Sequence, residues 1–379
     1  MARPLRVLLL CDRLDIPGGV ERFVCGLANH LAGEGLQVAV GSVDTPREAV
    51  RYPLRPEVRV LAGPRQPAGG EPGSRLARAW QLLRTQWRIG RVLSALIRQD
   101  APDVVILNGL TTACSVLLVS RRHAACTICC DHNHFHARSS LWQRLRRWLY
   151  PQVAAVVSLT EADAARFRAL NPRTRVIYNA ASLQADTPAL PGEPVALAVG
   201  RHVAQKGIDL LLQAWAEVVR AVPGARLRIV GDGPLRAQHE QLAGRLGLVS
   251  VEWLEPTPQI ERLFREAAVF VLPSRYEGMP LALLEAQALG VPSVAFDCPT
   301  GPAEILGPDT GRLVPAGDVP GLARALVELL ASPALRARLA PAAIARSRAM
   351  FSEAAHFRNW TALLREVGAR RACDPGAPA

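Results

Sequence analysis

Short apolar runs the length of a buried β-strand alternate with helix-period segments along nearly all of this 379-residue chain, and they do so in two successive series. In the first series, residues 5–10 read as a strand. Gly18 and Gly19 then open a helix whose apolar positions are Val20, Phe23, Val24, Leu27 and Leu31, and Gly33 and Gly35 close it before a second strand at 37–41. Further strands are expected at 58–61, 104–107, 126–130 and 154–159. The second series places strands at 195–199, 226–230, 251–254, 269–272 and 293–296, with a helix after each of the first four. Strands that alternate with helices close into parallel sheets covered on both faces. The expected fold class is therefore α/β, with two doubly wound Rossmann-like domains facing across a cleft. A Pro-rich polar stretch separates the series, which gives a first domain at 1–182, a linker at 183–194 and a second domain at 195–352. A last helix at 353–369 is expected to brace the two lobes, and 370–379 to be a disordered tail.

No apolar run reaches the roughly 18 residues of a membrane span. The amino terminus has too short an apolar run for a signal peptide, and its Val7 to Cys11 stretch reads better as a first strand. The eight cysteines mostly lie inside apolar segments, which suits reduced, buried thiols of a cytoplasmic protein. Charge is uneven. Residues 1–180 hold 25 basic and 13 acidic side chains, a net of +12, whereas 181–379 hold 20 of each. The first half is thus suited to an anionic neighbour such as nucleic acid, a membrane surface or a phosphorylated substrate.

Lys206 is the only lysine among 45 basic residues. It stands in Gly200-Arg201-His202-Val203-Ala204-Gln205-Lys206-Gly207, between a strand and a helix start, where α/β proteins present cations to a phosphate. A second constellation follows the 269–272 strand: Ser274-Arg275-Tyr276-Glu277-Gly278-Met279-Pro280-Leu281, with Glu285 further on. Pro280 fits the first helical position, which leaves Glu277 in the loop, Glu285 inside the helix, and the amides around Gly278, Met279 and Leu281 turned into the cleft.

Gly200-Arg201-x4-Lys206-Gly207, Gly231-Asp-Gly-Pro234 and Glu277-x7-Glu285 occur in that order. With Gly18-Gly19-Val-Glu21 and Val176-Ile-Tyr-Asn179-Ala they make the chain resemble, over almost its whole length, the retaining glycosyltransferases of family 4, which have the GT-B fold. The resemblance implies that Arg201 and Lys206 hold the donor diphosphate and that Glu277 holds the transferred sugar. It further implies that Glu285 binds the ribose and that the Gly18-Gly19 loop approaches the phosphate. The run Phe296-Asp297-Cys298-Pro299-Thr300-Gly301-Pro302-Ala-Glu304 resembles the subset that builds bacterial surface polysaccharide and glycans on lipid carriers.

Two segments keep two readings each. Asp131-His132-Asn133-His134-Phe135-His136 lacks the paired spacing of a zinc site. The family resemblance makes His132 an active-site histidine, and otherwise it is a loop histidine with ordinary surface bonds, as His134 and His136 are expected to be. The helical stretches around Trp80 and Trp87, and around Leu141, Leu145, Trp148 and Leu149, carry many arginines. They read either as surfaces for an anionic membrane or as core-facing stripes with a solvated basic face.

The expected activity is transfer of a hexose or N-acetylhexosamine from a nucleotide diphosphate sugar to a lipid-linked or glycan acceptor in bacterial cell-surface polysaccharide synthesis. Residues Arg201, Lys206, Glu277 and His132 are expected to be catalytic. Donor binding is assigned to Gly18, Gly19, Gly278, Met279, Pro280, Leu281 and Glu285. No Asp-x-Asp occurs, so no metal ligands are expected; no cofactor beyond the donor substrate is expected either. The expected location is the cytoplasm, with peripheral contact at the inner face of the cell membrane, and no nucleic-acid partner. The competing readings are a GT-B nucleotide-sugar epimerase and, in a different class, a basic membrane- or nucleic-acid-binding protein.

Overall fold

In a computed structural model of the chain, which describes residues 3–64, 75–189 and 191–373, the protein divides into two units. Residues 1–177 and 357–379 form one, and 178–356 the other. The first contains β1 (Arg6–Leu10), α1 (Gly19–Gly33), β2 (Gln37–Ser42), β3 (Arg59–Ala62), α2 (Arg75–Asp100), β4 (Val104–Asn108) and α3 (Leu110–Val119). It continues with β5 (Thr127–Cys130), α4 (Ser140–Leu149), β6 (Ala155–Ser158), α5 (Glu161–Arg168) and β7 (Thr174–Val176). Its seven parallel strands run in the order β3-β2-β1-β4-β5-β6-β7, with Leu8 of β1 beside Ala39 on one side and Val105 on the other. The central strands β1 and β4 are buried on both faces and read as nearly continuous Val, Leu and Ile runs, which is why they are visible as runs rather than alternations.

The second unit contains β8 (Val195–Val199), α6 (Ile208–Ala221), β9 (Arg226–Val230), α7 (Arg236–Arg245), β10 (Val251–Leu254), α8 (Ile260–Glu266) and β11 (Val269–Leu272). It is completed by α9 (Leu281–Ala288), β12 (Ser293–Asp297), α10 (Pro302–Ile305), β13 (Gly311–Pro315), α11 (Val319–Ala331) and α12 (Pro333–Met350). Six parallel strands run β10-β9-β8-β11-β12-β13. Its core gathers Trp215, Leu211, Phe296 and Leu326, all essentially inaccessible to solvent. The Trp215 indole N–H reaches the Ser250 hydroxyl at 3.2 Å, so burying this large ring leaves no donor stranded.

In each unit the chain builds the sheet outward in one direction from the first strand, then returns to add strands on the other side. The loops leaving β1 and β4, and those leaving β8 and β11, therefore part company at the strand carboxyl ends. A doubly wound sheet opens its ligand crevice at such a point. The sequence reading missed β7 and β13, and the described structure adds both at sheet edges.

The final helix, α13 (Glu353–Cys373), begins in the second unit and lies mostly in the first, where the Trp360 ring packs 5.6 Å from that of Phe23. It runs through 370–373, part of the stretch expected to be tail; 374–379 lie outside the described residues. Cys11, Cys25, Cys114, Cys126, Cys129, Cys130 and Cys298 are buried, and burial pushes the thiol of Cys25 up to about 12 and that of Cys298 likewise. No described helix is long and apolar enough to cross a membrane.

Candidate functional site

The second unit's crevice is built by loops from neighbouring strands. After β8, the Gly200–Gly207 segment turns through a short 3-10 helix, Ala204–Lys206, and Gly207 immediately precedes α6 with φ +62°. A Cβ on Gly207 would lie 2.0 Å from the carbonyl oxygen of Pro273, the residue after β11, so only glycine lets the two loops touch. The aliphatic stem of Lys206 lies across Gly200, and its Nζ donates to Glu277 Oε1 at 2.7 Å. Ser274 Oγ donates to the same oxygen at 2.6 Å, which places two donors on one carboxylate oxygen. Gln205 Nε2 donates to the Tyr276 carbonyl (3.0 Å), and the Arg275 amide donates to the Gln205 carbonyl (2.8 Å). Arg275 also forks onto Asp209 at 2.8 and 2.6 Å, which holds that carboxyl below its ordinary range.

Pro280 is the residue before α9, with extended backbone, rather than the first helical residue expected, and Leu281 begins the helix. The consequence for the site is small, because Glu277 stays in the loop and Glu285 in the helix. Gly278, Met279 and Pro280 are buried; the Met279 carbonyl accepts from Asn179 Nδ2 at 3.3 Å. Glu285 is buried, and its Oε1 accepts from Ser182 Oγ at 2.9 Å. The Thr300 hydroxyl donates to the Glu277 carbonyl at 2.6 Å, so the loop after β12 supports the motif from a third side. Arg201 differs from Lys206: it is exposed at the head of its loop. The structure thus brings Lys206, Glu277 and Ser274 into direct contact.

The first unit's switch point carries a cavity of about 310 Å³ lined by Asp12, Glu21, Asn108, His132, His134 and Arg138, among others. Gly18 precedes α1 and Gly19 is its first residue, beside this cavity's Val20 and Glu21. Asn108 Nδ2 donates to the Leu10 carbonyl at 3.1 Å, so its Oδ1 must be the atom that meets His132 Nε2 at 3.0 Å. His132 therefore carries its proton on Nε2 and keeps a lone pair on Nδ1. Its ring packs edge-on against Phe23 at 4.8 Å, and burial pushes its pKa down to about 4. Asp12 accepts from Thr112 Oγ1 at 2.7 Å, while burial raises its carboxyl against the opposing effects of Thr112 and Arg138.

Behind the loop that carries the histidines, Arg146 is buried, pairs with Asp131 at 3.1 Å and lies 3.5 Å over the Phe135 ring. Tyr150 donates to the other Asp131 oxygen at 2.6 Å. His134 Nδ1 accepts from the His136 amide at 3.3 Å, and His136 is exposed. Among the described residues no group of three or more His, Cys, Asp or Glu side chains is placed to hold a metal ion. Sequence reasoning missed Asp12, Asn108 and Arg146. The first two stand at the carboxyl ends of β1 and β4, a position that could have singled them out once the strand order was known.

Residues 17–185 match the family described as Glycosyltransferase Family 4, and residues 193–332 match the one described as Glycosyl transferases group 1. The chain belongs to the glycosyltransferases that join these two domains. It is 29% identical over 350 residues to the amylovoran biosynthesis glycosyltransferase AmsD of Erwinia amylovora, covering 89% of this chain and 93% of that protein. It is 33% identical over 237 residues to the alpha-D-kanosaminyltransferase of Streptomyces kanamyceticus, covering 57% and 61%. Sucrose-phosphate synthase from Thermosynechococcus elongatus shares the fold with a TM-score of 0.81 at 21% identity, over 97% of this chain and 100% of that one. Anabaena HepE in complex with UDP and glucose does so at 0.72 and 20%, over 95% and 99%. The fold is GT-B, two Rossmann-like domains in tandem, as expected.

The depressed pKa of His132 has a measurable sign. An unfolded histidine takes up its proton near 6.5, whereas the folded protein holds this ring neutral down to about 4. Its contribution to stability is complete above pH 6.5 and is lost as the pH falls towards 4. Relative to His132→Asn, wild-type stability from urea unfolding should therefore fall by up to about 1.4 kcal/mol per pH unit below that point. Parallel pH dependences of the two proteins would mean that the ring titrates as if solvated.

Proposed function

We propose that the protein is a retaining, metal-independent hexosyltransferase that moves a hexose or N-acetylhexosamine from a nucleotide diphosphate sugar to a lipid-linked or glycan acceptor in bacterial cell-surface polysaccharide synthesis. The observation that carries this reading is the convergence of Lys206, Ser274 and Glu277 at the switch point of the second unit, with Glu285 on the helix that follows. A donor sugar diphosphate supplies an anion for Lys206 and Arg201. Lys206 moves between the Glu277 carboxylate and a phosphate oxygen, and exposed Arg201 adds its charge from the head of the same loop. As the bond from the sugar's anomeric carbon to the diphosphate oxygen breaks, its electron pair stays on that oxygen. The two cations stabilise the charge as it grows, more than they stabilise the bound ground state. The acceptor hydroxyl forms the new bond on the face the leaving group vacates, and its proton passes to the departing phosphate oxygen.

Glu277, held at one oxygen by Ser274 and Lys206, accepts from a hydroxyl of the transferred sugar with its other oxygen. Glu285 binds the ribose, and the amides at Gly278, Met279 and Leu281 face the donor. In the first unit, neutral His132 accepts a sugar hydroxyl's hydrogen bond at Nδ1. Relatives support the acceptor class: AmsD is a glycosyltransferase of amylovoran biosynthesis.

Contact with the inner face of the membrane rests on a separate observation. Trp80, Leu83 and Trp87 of α2 recur at helical spacing and are 67%, 57% and 59% exposed, so they do not form the core-facing stripe that was the other reading. Arg91 lies over the Trp87 ring at 4.7 Å. On α4, Leu149 and Arg146 are buried while Leu141 and Trp148 are exposed, and Arg121 covers the Trp148 ring at 3.8 Å. Exposed indoles beside arginines suit the interface of an anionic bilayer.

With a panel of UDP-, GDP- and ADP-hexoses, Arg201→Ala and Lys206→Ala should each lower turnover about 10²- to 10³-fold while circular dichroism stays unchanged. Wild-type activity should persist in EDTA, with the anomeric configuration retained by NMR; full loss restored by magnesium would replace the two cations with a metal. For the surface, flotation with phosphatidylglycerol vesicles should carry the wild-type protein, and Trp80→Ala/Trp87→Ala should stay behind. No flotation of the wild type would remove the membrane reading.

A further inference from the structure

Between Arg201 and Lys206 lies His202, which is wholly buried, and its ring has one hydrogen-bonding partner: Nδ1 meets Nδ1 of His239, on α7, at 3.0 Å. His239 is itself 4% exposed. The other ring nitrogen, Nε2 of His202, is buried with no partner, and the Trp253 ring lies 5.7 Å away. The backbone of His202 is clamped as well. Its amide donates to the Asp232 carbonyl at 2.9 Å, its carbonyl accepts from the Leu235 amide at 3.0 Å, and a Cβ on Gly233 would come within 2.8 to 3.1 Å of His202 backbone atoms. His202 thus fastens the loop with both cations to the loop after β9, and among the described residues its side chain has His239 as its hydrogen-bonding partner.

Two Nδ1 atoms at 3.0 Å share one proton, so one ring donates and the other accepts. If His239 donated, His202 would carry a proton on Nε2 and bury it with no acceptor; if His202 donates, only a bare lone pair is left there. The second arrangement costs less and assigns the proton to His202 Nδ1. Both rings are kept neutral chiefly by burial. For His202, His239 and Arg236 add to that effect, while Asp232 and Glu240 oppose it; at His239, Arg275 adds and Asp209 opposes.

We propose that His239 is a positioning residue for the donor diphosphate: by accepting the hydrogen bond from His202 Nδ1 it fixes the loop that carries Arg201 and Lys206 at the spacing a diphosphate requires. This inference rests on the phosphate role given above to those two cations. Neither His239 nor its pairing with His202 is part of the Lys206 or Glu277 motifs, and 37 residues separate the two histidines.

Isothermal titration with inorganic pyrophosphate, and with UDP, GDP and ADP, tests it independently of catalysis. His239→Leu removes the acceptor, whereas His239→Asn restores a polar atom where Nδ1 stood. Well below the unfolding temperature, His239→Leu should bind these probes at least about tenfold more weakly, and His239→Asn should stay near wild type. A purely structural role would lower the melting temperature of His239→Leu without this loss of affinity and without rescue by asparagine. Unchanged affinity in His239→Leu, or equal loss in both variants, overturns the inference. If the wild type binds none of the probes, or Arg201→Ala and Lys206→Ala bind them as well as the wild type, the phosphate reading itself fails and takes this inference with it. Should His239→Leu not fold, NMR of the wild type decides: the shared-proton resonance of the pair should move when pyrophosphate is added, and an unmoved resonance overturns the proposal.

Discussion

The ion pair between Lys206 and Glu277 joins the two loops that carry the second unit's charged motifs. At 2.7 Å, with Lys206 23% and Glu277 7% exposed at the side chain, it is partly withdrawn from water. Such a pair contributes little net stability, because removing two charges from water offsets most of their attraction. Its effect is on register. The carboxylate can take two donors on one oxygen only if the loops leaving β8 and β11 are a fixed distance apart. The approach of Gly207 to Pro273, the exchange between Gln205 and residues 275–276, and the Arg275 fork onto Asp209 set that distance. In the function we propose, an incoming diphosphate competes for the ammonium, while Ser274 continues to hold the carboxylate. The same contact thus fixes the register of the two loops.

That arrangement follows from topology. A parallel sheet sends every connecting loop after a strand to one edge, and reversal of the winding direction opens a gap between two of those loops. In the second unit the gap lies between β8 and β11 and collects the charged motifs. In the first it lies between β1 and β4, where Asn108 meets His132 from the end of β5 and Asp12 lines the same cavity. The buried Arg146, with Asp131 and Tyr150, holds the histidine loop from behind.

Much of this was legible in the chain. Strands buried on both faces announce themselves as apolar runs, and eleven of the thirteen described strands coincide with expected runs to within a few residues. β7 has three residues and β13 lies between Gly311 and Pro315, so neither offers a run long enough to register. Lys206 stood out through its rarity, and Glu277 and Glu285 through their place at a strand-loop-helix junction. Arg146 was hidden because an arginine in a basic helix reads as solvated, and only the fold shows that Asp131 and two aromatic rings enclose it. The pairing of His202 with His239 was hidden for a related reason: a contact between the loop after one strand and the helix after its neighbour has no periodicity along the sequence.

The account stands most directly on where a nucleoside diphosphate binds. Hydrogen-exchange mass spectrometry with whichever of UDP, GDP and ADP raises the melting temperature tests this across the whole chain. The amides of 200–207, 231–235 and 278–285 should gain protection together, because their loops share the contacts around Lys206, His202 and Glu277. Protection confined to the first unit, or none in these three segments at saturating nucleotide, would contradict the assignment of the donor site.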